Sequence, residues 1–115
     1  MRVLIVDDSE PIRRLIKTYL ADLVGETFEC GDGSEALTAY REHQPDLVLM
    51  DLKMAKMDGL EATRQIRQFF PQARIVIVSQ WEDPPLREAA ILAGAEAYVG
   101  KSDLLPLRQI LLETD

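Results

Sequence analysis

The sequence predicts an α/β fold in which five βα units wind a parallel five-stranded sheet, in the order 2-1-3-4-5, with helices on both faces. Three observations lead there. Four short aliphatic runs stop abruptly, VLIV at 3–6, LVLM at 47–50, RIVIV at 74–78 and AYV at 97–99, and a weaker run, TFEC at 27–30, makes a fifth. Runs of this length and composition are strands buried on both faces. A helical pattern follows each run, and strict alternation of strand and helix gives a doubly wound sheet with right-handed crossovers. The length of 115 residues holds one domain, taken as 1–115, and no linker or repeat divides it.

The helices follow in order. Ile12, Leu15, Ile16, Tyr19, Leu20 and Leu23 recur at three- and four-residue spacing, which marks one face of a first helix. Ser9 is its cap, and Pro11 suits its first turn. A second helix starts after Ser34, with Ala36, Leu37 and Tyr40 as its stripe, and a third runs from Gly59 to the phenylalanines before Pro71. The small-residue segment 84–95 is the fourth. The fifth closes the chain, with Asp103 as cap and Pro106 at its third position, where the missing N–H costs nothing. This is the doubly wound, flavodoxin-like arrangement, which receives ligands beyond the carboxyl ends of its strands, at the switch between strands 1 and 3.

Composition narrows the function classes. Hydrophobic residues make up 47% and charged residues 29%, and 13 Lys and Arg against 20 Asp and Glu leave a net charge of −7. That field repels nucleic acid and anionic membrane surfaces, so this segment is expected to bind neither directly. The first apolar run ends at Asp7, too short for a signal peptide, and no run reaches the roughly 18 residues of a membrane span. A cytoplasmic location is expected. The lone Cys30 has no partner for a disulfide or a zinc cluster and is expected to be a half-buried hydrophobe, while a single His43 removes histidine-rich metal sites.

Polar residues stand directly after the apolar runs: Asp7 and Asp8, Asp51, Ser79, and Lys101 just past the last. In the 2-1-3-4-5 order these ends are neighbours, so three carboxylates, a hydroxyl and an ammonium converge. Two carboxylates about 4 Å apart repel by about 4 kcal/mol at an effective dielectric of 20, so the cluster wants a cation. All-oxygen ligation in a small, wet site favours Mg²⁺ over Ca²⁺. An Asp beside a divalent ion and a Lys is suited to accept a phosphoryl group. Each residue alone has a plain reading as cap, turn former or snorkelling lysine, but four strand ends carrying complementary groups on one edge do not. Trp81 and Tyr98 are expected to be packed aromatics, and Arg13, Arg14, Lys17 and Glu61 solvated helix faces.

Together VLIVDDSEPIR, DGSEAL, DLVLMDLKMAKMDGLE, VSQ and GAEAYVGKS resemble the receiver domain of two-component response regulators over essentially the whole chain. The resemblance implies that Asp51 is phosphorylated by a histidine kinase or phosphotransfer protein. Asp8 would bind Mg²⁺ directly and Asp7 mainly through water, with Asp51 and the backbone carbonyl of Lys53 as further ligands. Lys101 and Ser79 would contact phosphoryl oxygens, and Tyr98 would change rotamer with Ser79. The surface of the fourth helix, fifth strand and fifth helix would carry the output and any homodimer contact. Such a domain is a signalling module whose only catalysis is its own phosphoryl transfer and autodephosphorylation.

Three positions depart from the family pattern. Ala55 stands where a proline is usual, Gln80 is bulky, and Ser102 replaces a common proline, as in receivers attached to LuxR-type helix-turn-helix outputs that regulate transcription. A flavin module would need a phosphate-cradling loop where Asp7 and Asp8 stand, and no GxxxxGK[ST] is present. The remaining alternative is a pseudo-receiver, a docking adaptor that signals without phosphate.

Overall fold

The computed structural model describes residues 1–114. Its strands are β1 (Arg2–Val6), β2 (Glu26–Cys30), β3 (Leu47–Met50), β4 (Ile75–Ser79) and β5 (Ala97–Gly100), all paired in parallel in the order β2-β1-β3-β4-β5. The expected sheet is the observed one. Val6 is level with both Cys30 and Met50, and Ser79 is level with Gly100, so the carboxyl ends of neighbouring strands lie side by side.

Successive side chains on a strand point to opposite faces, and both faces here are covered. Leu4, Val6, Val48, Met50, Ile75 and Ile77 form one core with residues of α2 (Ala36–His43), α3 (Gly59–Phe69) and α4 (Pro84–Ala93). Val3, Ile5, Leu47, Leu49, Val76 and Val78 form the other with Ile16 of α1 (Glu10–Tyr19) and Leu107 and Leu111 of α5 (Leu105–Leu112). That two-sided burial is why the strands are continuous apolar runs rather than alternating ones.

Several local expectations change. Ser9 caps α1 by accepting the Ile12 amide, but α1 stops at Tyr19 and Leu15 is 54% exposed, because the packed face is Ile12, Ile16 and Tyr19. Leu23 packs from the segment after the helix. The second helical segment, expected to start after Ser34, opens earlier with a 3₁₀ turn at Gly33–Glu35 that Asp32 caps. The fourth helix ends at Ala93 because Gly94 takes a left-handed φ of 116°, a conformation that costs glycine nothing. The cap position of α5 is Leu104, with Asp103 accepting the Leu105 amide, so Pro106 is second in the helix rather than third. Cys30 is buried, Trp81 is exposed, and Arg13 is half-buried, with its partners described below. Among the described residues, no helix is long and apolar enough to cross a membrane.

Candidate functional site

The site begins where the sheet's ladder runs one residue past its strands. The Asp7 amide donates to the Cys30 carbonyl at 3.1 Å, and the Asp51 amide to the Val6 carbonyl at 2.8 Å. Both aspartates are therefore fixed by backbone. Gly59, the first residue of α3, presses on the carbonyl of Asp51 so closely that a Cβ would overlap it, and its amide donates to Leu52 at 2.8 Å. Glycine is required there to let the helix start against the acidic strand end.

The side chains then converge. The Lys101 ammonium lies 2.8 Å from Asp7 Oδ2 and donates to Asp51 Oδ1 at 3.1 Å. Asp7 Oδ1 accepts the Ser9 amide, and Asp51 Oδ1 also accepts the Leu52 amide, each at 2.9 Å. Asp8 is exposed at the rim. One oxygen from each of Asp7, Asp8 and Asp51 falls within 4.8 Å of the others. The three border a cleft of about 300 Å³ that Ser9, Ile12, Lys53, Gln80, Trp81 and Lys101 complete.

Electrostatics follow from that crowding. Burial pushes the Asp51 carboxyl upward, and the nearby Asp7 charge adds to this against the pull of Lys101. Burial opposes the Lys101 charge too, but its bonds to Asp7 and Asp51 outweigh that and hold the ammonium above its ordinary value. Among the described residues Lys101 is the one cation paired with these carboxylates, which leaves the cluster underneutralised.

Residues 3–111 match the family described as the response regulator receiver domain. The chain belongs to that family. Chemotaxis protein CheY of Bacillus subtilis is 41% identical over 101 residues, covering 87% of this chain and 84% of that protein. Response regulator GacA of Pseudomonas viridiflava is 40% identical over 103 residues, covering 88% of this chain and 48% of GacA, so the chain spans about half of that relative. Among solved structures, a LuxR-family two-component response regulator from Aurantimonas sp. SI85-9A1 superposes with a TM-score of 0.86 at 35% identity, covering 96% of this chain and 84% of that one. A CheX-CheY-BeF3-Mg²⁺ complex from Borrelia burgdorferi gives 0.84 at 29%, covering 97% and 87%.

The receiver domain's acidic pocket fits a hard divalent cation, since its donors are carboxylate oxygens close enough to share one ion. Ser79 and Tyr98 lie behind the cleft and meet at Trp81. Ser79 Oγ accepts the Trp81 amide at 3.0 Å, and the buried Tyr98 donates its hydroxyl to the Trp81 carbonyl. Two charged residues escaped the sequence reading. Arg13, assigned to a solvated face, donates to the Asp7 carbonyl at 2.6 Å and to Glu29 at 3.0 Å. Asp32, seen only as part of a helix start, accepts amides from Ser34, Lys56 and Met57, which hold its carboxyl down at about 2.

Proposed function

We propose that this receiver domain takes a phosphoryl group from a phosphohistidine, on a histidine kinase or phosphotransfer protein, onto Asp51 in a Mg²⁺-dependent reaction. The observation that carries this reading is Lys101 bridging Asp7 and Asp51 in an acidic cleft. The pairing of BeF3 and Mg²⁺ named for the Borrelia burgdorferi complex supports the same chemistry.

Asp8 would hold the metal directly, Asp7 through water, and Asp51 and the Lys53 carbonyl would complete the protein's share. Bound there, Mg²⁺ supplies the charge that neutralises phosphoryl oxygens and keeps donor and acceptor in line. An Asp51 oxygen forms the new P–O bond as the P–N bond of the donor breaks, and the departing imidazole nitrogen is neutralised by a proton from solvent. Lys101 then exchanges its Asp51 contact for a phosphoryl oxygen. The Ser79 hydroxyl, whose oxygen already accepts from Trp81, keeps its own proton to donate to another. Movement of Ser79 draws on Trp81 and Tyr98 and biases the surface of α4, β5 and α5, which selects the output, a transcriptional one by likeness to the LuxR-family relative.

Intact-mass measurement after incubation with acetyl phosphate tests the reading. A base-labile phosphoryl adduct that requires Mg²⁺ and is lost in Asp51→Asn is expected. No adduct in the wild type would instead make the domain a docking adaptor that signals without phosphate.

A further inference from the structure

The segment between Asp51 and α3 has no regular structure, and Lys53, Ala55, Lys56 and Asp58 in it are exposed. Its ends are tied, by the Asp51 ladder bond and by the Gly59 amide on Leu52. Its middle is tied by one carboxylate from elsewhere in the chain. Asp32 follows β2, two positions along the sheet from β3, which leads into this segment, and is 7% exposed. Its Oδ2 accepts the Lys56 amide at 2.9 Å, and its Oδ1 accepts the Met57 amide at 3.2 Å and the Ser34 amide at 2.8 Å. Gly33 beside it seats the same loop, since a Cβ there would run into the Met57 carbonyl.

We propose that Asp32 is a positioning residue for the metal and phosphoryl site, acting through the Lys56 and Met57 amides on the loop that begins at Lys53. The inference rests on the proposed function, because it gives the Lys53 carbonyl a place among the cation's ligands. Asp7, Asp8 and Asp51 sit on strand ends that the sheet fixes. The Lys53 carbonyl sits on a loop, so its position depends on what clasps that loop. A carboxylate suits the task because each of its oxygens accepts more than one bond, and ionised acceptors make the stronger bonds to amides.

The two oxygens allow the clasp to be separated from the helix cap. Asp32→Asn with its carbonyl oxygen at Oδ1 keeps the Ser34 and Met57 bonds and turns an NH₂ toward the Lys56 amide, donor against donor. Helix capping survives and one half of the clasp is lost. Ala55→Pro supplies a second way to stiffen the loop, because proline fixes φ and the Ala55 amide makes no hydrogen bond among the described residues. It also restores none of the lost charge.

The experiment is a calorimetric Mg²⁺ titration of the wild type, Asp32→Asn and Asp32→Asn/Ala55→Pro at physiological ionic strength, with amide hydrogen exchange of Lys56 and Met57 measured without metal. Expected are faster exchange at Lys56 and a roughly tenfold weaker Mg²⁺ affinity in Asp32→Asn, by analogy with losses of outer partners of metal ligands, and recovery of affinity in the double variant. Unchanged Mg²⁺ affinity in Asp32→Asn, in a wild type that binds Mg²⁺, overturns the positioning role alone. Weakened affinity that Ala55→Pro does not recover assigns the effect to lost charge and overturns it as well. A wild type that binds no Mg²⁺ overturns the underlying reading of the pocket, and the inference with it.

Discussion

Tyr98 donates its hydroxyl to the backbone carbonyl of Trp81, while the amide of the same residue donates to Ser79 Oγ at 3.0 Å. One residue thus joins two side chains from neighbouring strands, β4 and β5, directly beyond the cleft. Trp81 itself is 46% exposed and lines the cleft, so displacement of Ser79 changes its surroundings. Beryllofluoride added at saturating Mg²⁺ is therefore expected to change the fluorescence of this single tryptophan. The change should be absent in Asp51→Asn and smaller in Ser79→Ala. A signal that persists in both variants would show that the fluorescence reports some other event.

Asp51→Asn should raise thermal stability at pH 7 while abolishing phosphorylation. Burial and the Asp7 charge raise the Asp51 carboxyl, so the folded state favours its protonated form and its ionisation costs stability at neutral pH. As pH falls through the raised value that cost disappears, and the advantage of the variant should shrink with it. Thermal melts from pH 7 downward check the sign. A variant less stable than wild type at pH 7 would mean that the Lys101 bond to Asp51 outweighs the burial it compensates.

Asp7 and Asp8 are adjacent but differently engaged. Asp7 is buried, fixed by the Ser9 amide and paired with Lys101, whereas Asp8 stands exposed at the rim with an oxygen within 4.8 Å of the other two carboxylates. Asp8→Ala should weaken Mg²⁺ binding far more than Asp7→Ala. Equal losses in a titration would erase the distinction between direct and water-mediated roles.

Gln80 is exposed on the cleft wall, one residue past Ser79. If it screens the phosphoryl group from attacking water, Gln80→Ala shortens the lifetime of the acyl phosphate, measured by the decay of the adduct after donor removal. A longer or unchanged lifetime removes Gln80 from that role.

The sheet and the convergence of Asp7, Asp51 and Lys101 were legible because each strand is apolar until it stops, and the stopping residue is polar. Strand order then did the rest. The clasp made by Asp32 was not legible, since beyond the local Ser34 amide its partners are backbone amides 24 and 25 residues away, which have no signature in residue type. Arg13 was hidden for a related reason. A charged helix residue looks solvated until the fold brings a carbonyl such as that of Asp7 within reach. Leu15 misled because it borders the packed face of α1 without belonging to it, and Trp81 because a large aromatic residue is usually packed.

Asp32 also gives the acid limb of stability a named origin. Its carboxyl is held down to about 2 from an ordinary 3.8, chiefly by the Lys56 and Ser34 amides. A depressed carboxylate stabilises the fold above its ordinary value and loses that contribution as pH falls through its folded one, so the window lies between 3.8 and about 2. Asp32→Ala should therefore lower stability at pH 7 by at least the roughly 1 kcal/mol usual for a lost helix cap, with the lost bonds to the Lys56 and Met57 amides adding to it. The deficit relative to wild type should narrow as both proteins are taken below pH 3.8, because protonation removes from the wild type what the substitution has already removed from the variant. Asp51 contributes with the opposite sign, but it is present in both proteins and cancels from the difference between them. Urea unfolding at pH 7 and at successive lower pH values measures both. A deficit that stays constant across that window would mean that the Asp32 side chain acts through packing rather than through its charge-assisted bonds to the Ser34, Lys56 and Met57 amides.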